Sequence, residues 1–151
     1  MNKSAGAMAY QIRNGPLVCD NPPLMEDFNA HEFQGVWHLV SRTGGKYSYI
    51  ESFDNMTSFC YADEIEFLNP DTGIAKLWKS WMSGASGYWR GEESYIRFEK
   101  DGSGVFHLGT RDSEYRQPRR VLDTDYKNYA ILYECEPSDY EQNVEIYARD
   151  S

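Results

Sequence analysis

After the first 34 residues, short apolar segments alternate with polar positions at a two-residue period, and most end in a turn rich in Gly, Asp, Asn or Pro. In one such segment Phe59, Tyr61 and Ile65 share one face of an extended chain, whereas Cys60 and Glu64 lie on the other. No segment in this region keeps a helical period for more than about a turn. The chain is therefore restricted to antiparallel strands joined mainly by hairpins.

The alternation predicts eight strands, and the connections between them are mostly short. A longer loop over residues 44–56 and a polar connection over residues 111–117 are the two exceptions. Eight short strands with tight turns are typical of a β-sandwich or of an up-and-down barrel. The predicted strands cover residues 36–43, about 59–67, 74–82, 88–99, 105–110, 119–126, 129–136 and 143–149.

The segment before the strands differs in character, because it contains three prolines and few alternating apolar positions. We interpret residues 1–34 as an extended arm and residues 35–151 as the β domain. Asn29 with Glu32 three residues later forms a capping-box pattern, which predicts one short helical turn from about Ala30 to Gln34.

Charge and composition exclude several classes of partner. The formal net charge is −9 and no run of Lys or Arg occurs, so nucleic acid and anionic membrane surfaces are not expected partners. No run approaches the roughly 18 apolar residues of an integral membrane segment. Three dispersed cysteines and three histidines do not predict a metal site. Sequons at Asn2 and Asn55 favour a secreted setting, although residues 1–10 have no apolar stretch of signal-peptide length.

Catalysis is not predicted either. His31, His38 and His107 accompany no nucleophile motif. Adjacent carboxylates on a strand point to opposite faces and cannot share a substrate. We therefore predict that the chain is not an enzyme and assign no catalytic residue.

Three local motifs lie at the right places along the predicted strands. They are Gly35-Val36-Trp37 at the start of the first strand, Thr124-Asp125-Tyr126 between the sixth and seventh, and Arg149 at the end of the eighth. This set resembles the lipocalin family. The likeness is greatest to the apolipoprotein D branch with its bilin- and carotenoid-binding relatives, and it is carried by residues 19–23, 27–28, 33–37 and 124–133. The resemblance implies an eight-stranded antiparallel up-and-down barrel with an N-terminal arm.

The motif residues have structural roles that physical chemistry predicts. A large ring at Trp37, covered by the Arg149 guanidinium, would close one end of a barrel through packing and a cation–π contact of roughly 0.5–2 kcal/mol. Asp125 in a tight turn can accept backbone N–H bonds. Gly35, Thr124 and Tyr126 complete these motifs.

The resemblance also has implications for the cysteines. It pairs Cys135 with Cys19, which would bind the arm to the barrel. The family partner of Cys60 lies in a tail beyond Arg149, and this sequence ends two residues after Arg149. We therefore expect Cys60 to form no bond within the chain, and its role in joining another subunit stays open.

An eight-stranded barrel can enclose one small ligand, although its interior can also be filled by its own side chains. Parity along the strands predicts eight inward-facing candidates for ligand binding: Phe59, Tyr61, Trp81, Ile96, Phe98, Phe106, Leu108 and Tyr147. Charged residues that share this parity would select a ligand with a long apolar body and at least one polar or ionisable end, as in a xanthophyll, bilin or fatty acid, because a buried charge requires a partner. They are Asp63, Lys79, Arg90, Glu92 and Glu145.

Two functions follow. The first is binding, storage or transport of a small hydrophobic molecule such as a carotenoid, bilin, retinoid, sterol or fatty acid, in an extracellular or secretory-pathway location and with no required cofactor. The alternative is a non-catalytic subunit of a larger homo- or hetero-oligomeric assembly, in which the arm and the odd cysteine serve assembly.

Overall fold

The structure is a computed structural model, and it describes residues 22–42, 58–69, 71–84, 86–109, 116–136 and 141–150. These residues form eight antiparallel strands that close into a barrel, in which β1 pairs with both β2 and β8. The prediction of an all-β barrel is confirmed, and the sandwich is excluded. The strands are β1 Gly35–Arg42, β2 Ser58–Asn69, β3 Ile74–Ser83, β4 Tyr88–Phe98, β5 Val105–Gly109, β6 Arg116–Thr124, β7 Tyr129–Glu136 and β8 Glu141–Ala148.

Strand β6 departs most from the predicted bounds. It begins at Arg116, inside the segment predicted to be a polar connection, and it ends at Thr124 rather than Tyr126. The prediction is wrong at the second end because the chain turns after Thr124, where Tyr126 has a φ of 66° in the left-handed region.

Asp125 holds the turn between β6 and β7. Its Oδ1 accepts the backbone N–H groups of Lys127, Asn128 and Tyr129 at 3.1, 2.8 and 3.0 Å, as expected from the sequence. The side-chain amide of Asn128 donates to its other oxygen at 2.7 Å. That bond and the backbone bonds keep the pKa of Asp125 well below its usual value. The direction in which β7 returns is therefore set by one carboxylate.

The segment predicted as a helical turn forms hydrogen-bonded turns instead. Phe33 and Gln34 donate their N–H groups to carbonyl oxygens three residues earlier, and no helix is formed in residues 22–34. Asn29 Oδ1 accepts the N–H of Glu32 at 3.2 Å, which is one of the two hydrogen bonds of a capping box. The Asn29 N–H itself donates to the hydroxyl of Tyr126 at 3.0 Å. The described residues contain no helix of the length and apolarity needed to cross a membrane.

Residues 22–34 pass under one end of the barrel and contribute to its core. Phe28 donates its N–H to the Gly102 carbonyl and stacks on Phe98, with ring centroids 5.6 Å apart. Phe33 stacks on Trp37 at 5.0 Å, and the Trp37 indole N–H donates to the Phe33 carbonyl at 2.9 Å. This end is closed by packed aromatic rings. The apolar core comprises Phe28, Phe33, Trp37, Ile65, Ala75, Leu77, Ile96, Phe98, Phe106, Val121, Ala130, Leu132 and Tyr147.

Arg149 seals the closed end from outside. Its guanidinium carbon lies 3.7 Å from the ring centroid of Trp37. Its three nitrogens donate to carbonyl oxygens of Tyr126, Val36 and Glu32 at 2.9, 3.1 and 3.2 Å. Burial lowers the pKa of Arg149, an arginine that nonetheless stays protonated at neutral pH.

The glycine that opens β1 is required by this seal. Gly35 has a φ of 104°, and a Cβ there would lie 2.9 Å from Nη1 of Arg149. We expect Gly35→Ala to lower the free energy of unfolding by about 2 kcal/mol or more, through backbone strain and displacement of the guanidinium. Gly87→Ala is the matched control, because Gly87 also has a positive φ but nothing lies within 4 Å of its added Cβ. Equal urea-unfolding midpoints for the two variants would contradict the role given to Arg149.

Candidate functional site

The lower half of the barrel interior is an apolar floor. Ile96, Phe98 and Phe106, three of the predicted ligand-binding residues, are buried there. Phe98 and Phe106 have ring centroids 5.1 Å apart, and Phe98 also packs on Phe28. These three side chains face inward as predicted, but they pack against one another and against the closed end.

The upper half, toward the β3–β4 hairpin, is more open. Tyr61 and Trp81 are half-buried and stack on each other with centroids 6.2 Å apart at an angle of 25°. Leu108, by contrast, is half-buried, pairs with Ile96 of the floor and packs against the apolar core. The backbone of Phe59 pairs with Met82, and its side chain lies outside the described part of the structure.

Between these halves lies a ring of ionised side chains, here called the charged belt. Six strands each contribute one member, so the belt runs around most of the barrel. Three members are basic and three are acidic, which makes the belt electrically neutral at neutral pH. Its members are Arg42, Asp63, Lys79, Arg119, Glu134 and Glu145.

Glu145 is the most deeply buried member of the belt, with 3% of its side chain exposed. Arg42 donates to its Oε2 from Nε at 2.8 Å, and Nη1 of Arg119 lies 3.5 Å from its Oε1. Burial opposes ionisation of Glu145, but the nearby Arg119 and Arg42 outweigh it and keep its pKa below the ordinary value.

Arg119 was not predicted as a site residue, although the alternation along β6 indicates that its side chain faces inward. It lies two residues before Val121, which is fully buried, and so shares the inward face. Its Nε donates to Glu134 Oε2 at 3.2 Å. Burial works against its charge, but Glu145 and Glu134 more than compensate and raise the pKa of Arg119 above its usual value.

Tyr147, a predicted site residue, connects two carboxylates of the belt. Its hydroxyl lies 3.0 Å from Glu145 Oε1 and 3.3 Å from Asp63 Oδ2, and its single proton can serve one of them at a time. Burial, followed by the charges of Asp63 and Glu145, raises the pKa of Tyr147 well above its usual value. Asp63 also faces Lys79 at 3.9 Å, the longest ion pair in the belt.

Two charged residues predicted to share the inward face do not join the belt. Arg90 and Glu92 are exposed, because they lie on the part of β4 next to the β3–β4 hairpin. Cys60 is free and exposed, as expected. In the described ranges, no three His, Cys, Asp or Glu side chains are grouped as metal ligands would be.

Several solved structures are similar to this chain in fold. Insecticyanin from the tobacco hornworm Manduca sexta matches with a TM-score of 0.67 at 21% identity, over 90% of this chain and 71% of that one. Insecticyanin and the other solved structures similar to this chain are lipocalin-family members. The chain has the lipocalin fold.

Two other structures with the lipocalin fold come from different animals. The cockroach allergen Per a 4 matches with a TM-score of 0.66 at 16% identity, over 87% of this chain and 75% of that one. The tryptamine complex of the amine binding protein of Rhodnius prolixus matches with a TM-score of 0.61 at 21% identity, over 87% and 70%. No family model and no curated protein matches the sequence. At these identities the likeness establishes the lipocalin fold alone.

Proposed function

We propose that this chain is a lipocalin-family protein that binds, stores or transports a small molecule in its barrel and catalyses no reaction. The observation that carries the proposal is the accessibility of the charged belt. Lys79 and Asp63 point into the barrel, yet 29% and 16% of their side chains stay exposed. Solvent therefore reaches these two side chains, which a barrel filled by its own side chains would prevent.

The position of the ligand follows from the packing below and above the belt. The floor is occupied by buried aromatic rings, so the apolar body of a ligand would lie above it, against Tyr61 and Trp81. Its polar end would lie between Lys79 and Asp63, whose 3.9 Å separation makes them the easiest pair to part. The ligand therefore has a long or flat apolar body and one polar end.

The neutrality of the belt bears on the chemistry of that polar end. An ionised end would add an unbalanced charge to a poorly solvated ring of three basic and three acidic groups. A hydroxyl or carbonyl end can hydrogen bond to Lys79 or Asp63 without changing the balance. We therefore favour a retinoid, a sterol or a hydroxylated carotenoid as the ligand over a bilin or a fatty acid.

The test compares two tryptophans on one strand. Trp81 faces the interior and Trp78 faces outward, so Trp81→Ala and Trp78→Ala are matched substitutions on β3. With retinol as the fluorescent probe, we expect Trp81→Ala to weaken binding about ten-fold or more, since burying an apolar side chain contributes roughly 1.5–3 kcal/mol. Trp78→Ala should leave the retinol affinity unchanged.

An organic extract of the protein, isolated from its source, provides a second measurement. An apolar molecule at about one per chain, with a visible spectrum if it is a pigment, supports the proposal. Absence of any extracted molecule together with equal retinol affinity in both variants would contradict it and favour the assembly subunit.

The arm, the cysteines and the location belong to the same proposal. The family resemblance pairs Cys135 with Cys19, which lies outside the described residues, and the free, exposed thiol of Cys60 is compatible with a Cys19–Cys135 bridge. Such a bridge would stabilise the fold by about 2–5 kcal/mol and persists in oxidising compartments. We therefore propose an extracellular or secretory-pathway protein, and the motif segments support a place near the apolipoprotein D branch.

A further inference from the structure

The outer face of β2, β3 and β4 carries large aromatic side chains that the barrel does not use. Trp78 is 43% exposed and Trp89 is 59% exposed. Neither tryptophan belongs to the apolar core. Exposed aromatic groups of this size, close together, are typical of a surface that contacts a partner. Because all three strands already have neighbours on both sides, a partner would bind their side chains rather than add a strand.

This outer face is flat around Trp78. The Trp78 ring lies directly over Gly91, so closely that a Cβ at that position would collide with its Cζ2 atom. Ser80 pairs with Gly91, and Ala62 pairs with Ser80, so the neighbouring positions carry small side chains. Trp89 lies two residues before Gly91 on the same face, about 7 Å away along the strand. The small residues leave a shallow shelf next to exposed aromatic rings.

Carboxylates border this shelf on both sides. Glu64 on β2 and Glu93 on β4 are both directly opposite Trp78 in the strand register. Glu66 is exposed beside Glu64, and Lys76 offsets part of the charge through a 3.7 Å ion pair with Glu93. An exposed indole ring with carboxylates on both neighbouring strands can attract a cation in two ways, through the ring quadrupole and through opposite charge.

We propose that this surface, formed by Trp78, Trp89, Gly91, Glu64 and Glu93, is a docking site for a protein segment that presents Lys or Arg beside an apolar side chain. Charge excludes a second copy as the favoured occupant. Two copies face to face would bring the same carboxylates together in a chain whose net charge is −9. The inference is independent of the ligand in the barrel, because the two sites lie on opposite faces of the same strands.

The probe is an acetylated and amidated nine-residue peptide of alternating Lys and Leu, with the same peptide carrying Glu in place of Lys as its counterpart. Binding is measured by calorimetry at 50 and 300 mM salt with the full chain. We expect saturable binding of the Lys peptide alone. Trp78→Ala should weaken it at least five-fold, and so should Glu64→Gln combined with Glu93→Gln.

The control pair is Glu26→Gln combined with Asp71→Asn, which removes the same total charge from two exposed positions elsewhere. This pair should change the affinity less than two-fold. Equal weakening by the two pairs would show attraction to the net charge only and would overturn the proposal. So would failure of the Lys peptide to bind, or unchanged binding by Trp78→Ala. In that last case the role of Trp78 would be only to cover Gly91, and a lower urea-unfolding midpoint of Trp78→Ala would show this.

Retinol binding distinguishes this proposal from the one for the barrel. The Glu64→Gln and Glu93→Gln protein should bind retinol as the wild type does, and Trp81→Ala should bind the peptide as the wild type does. Loss of peptide binding in Trp81→Ala would place the peptide at the barrel opening and overturn the docking surface.

Discussion

Trp37→Ala is expected to lower the free energy of unfolding by about 3–5 kcal/mol, which is the usual cost of removing a large buried aromatic side chain. Trp37 stacks on Phe33 and lies under the Arg149 guanidinium, so its loss opens a cavity and removes a cation–π contact at the same place. A domain of this size has a total stability of only about 5–15 kcal/mol. The variant should therefore unfold at a much lower urea concentration.

Trp89→Ala is the control for this change, because it removes the same side chain from an exposed position. Its free energy of unfolding should change by no more than about 0.5 kcal/mol. Comparable losses in the two variants would mean that Trp37 does not hold the closed end together.

Glu145→Gln is expected to cost about 3 kcal/mol, near the lower end for breaking a buried ion pair. The amide keeps the shape of the side chain but leaves Arg42 and Arg119 facing a neutral group. Arg119 retains Glu134, which limits the loss. Glu93→Gln is the matched control, since its pair with Lys76 is largely exposed and should contribute less than about 1 kcal/mol.

The same variant makes a prediction about pH. Because the pKa of Glu145 is lower in the folded state than its ordinary value of 4.5, the folded state binds fewer protons in this range. Its stabilising contribution is complete above the unfolded pKa and is lost as the pH falls through the folded pKa. The stability difference between wild type and Glu145→Gln should therefore shrink steadily as the pH is lowered below about 4.5. A difference that stays constant down to pH 2 would contradict the ion-pair assignment.

The sequence predicted the barrel well because its signals are local. Alternation along each strand located Ile96, Phe98 and Tyr147 on the inner face, and the turn residues separated the strands. The same parity could have placed Arg119 and Glu134 in the interior, since they share it with buried Val121 and Leu132.

Arg42 could not have been found in this way. A bulge between Leu39 and Ser41 shifts the register of β1, so simple alternation assigns Arg42 to the outside. The part played by Phe28 was hidden for a related reason, because an irregular segment has no period to reveal which side chain it buries. Interactions between distant segments, rather than local pattern, decide both positions.

The bonds of Arg149 have a consequence for the order of folding. This one side chain joins β8 to carbonyl groups 113 and 117 residues earlier in the chain. Contacts this distant in sequence form slowly, because most of the chain must be arranged before they close. During synthesis the rings of Phe28, Phe33 and Trp37 therefore stay without their seal until the eighth strand has emerged. In that interval the nascent protein presents an aromatic surface that chaperones recognise and that favours aggregation.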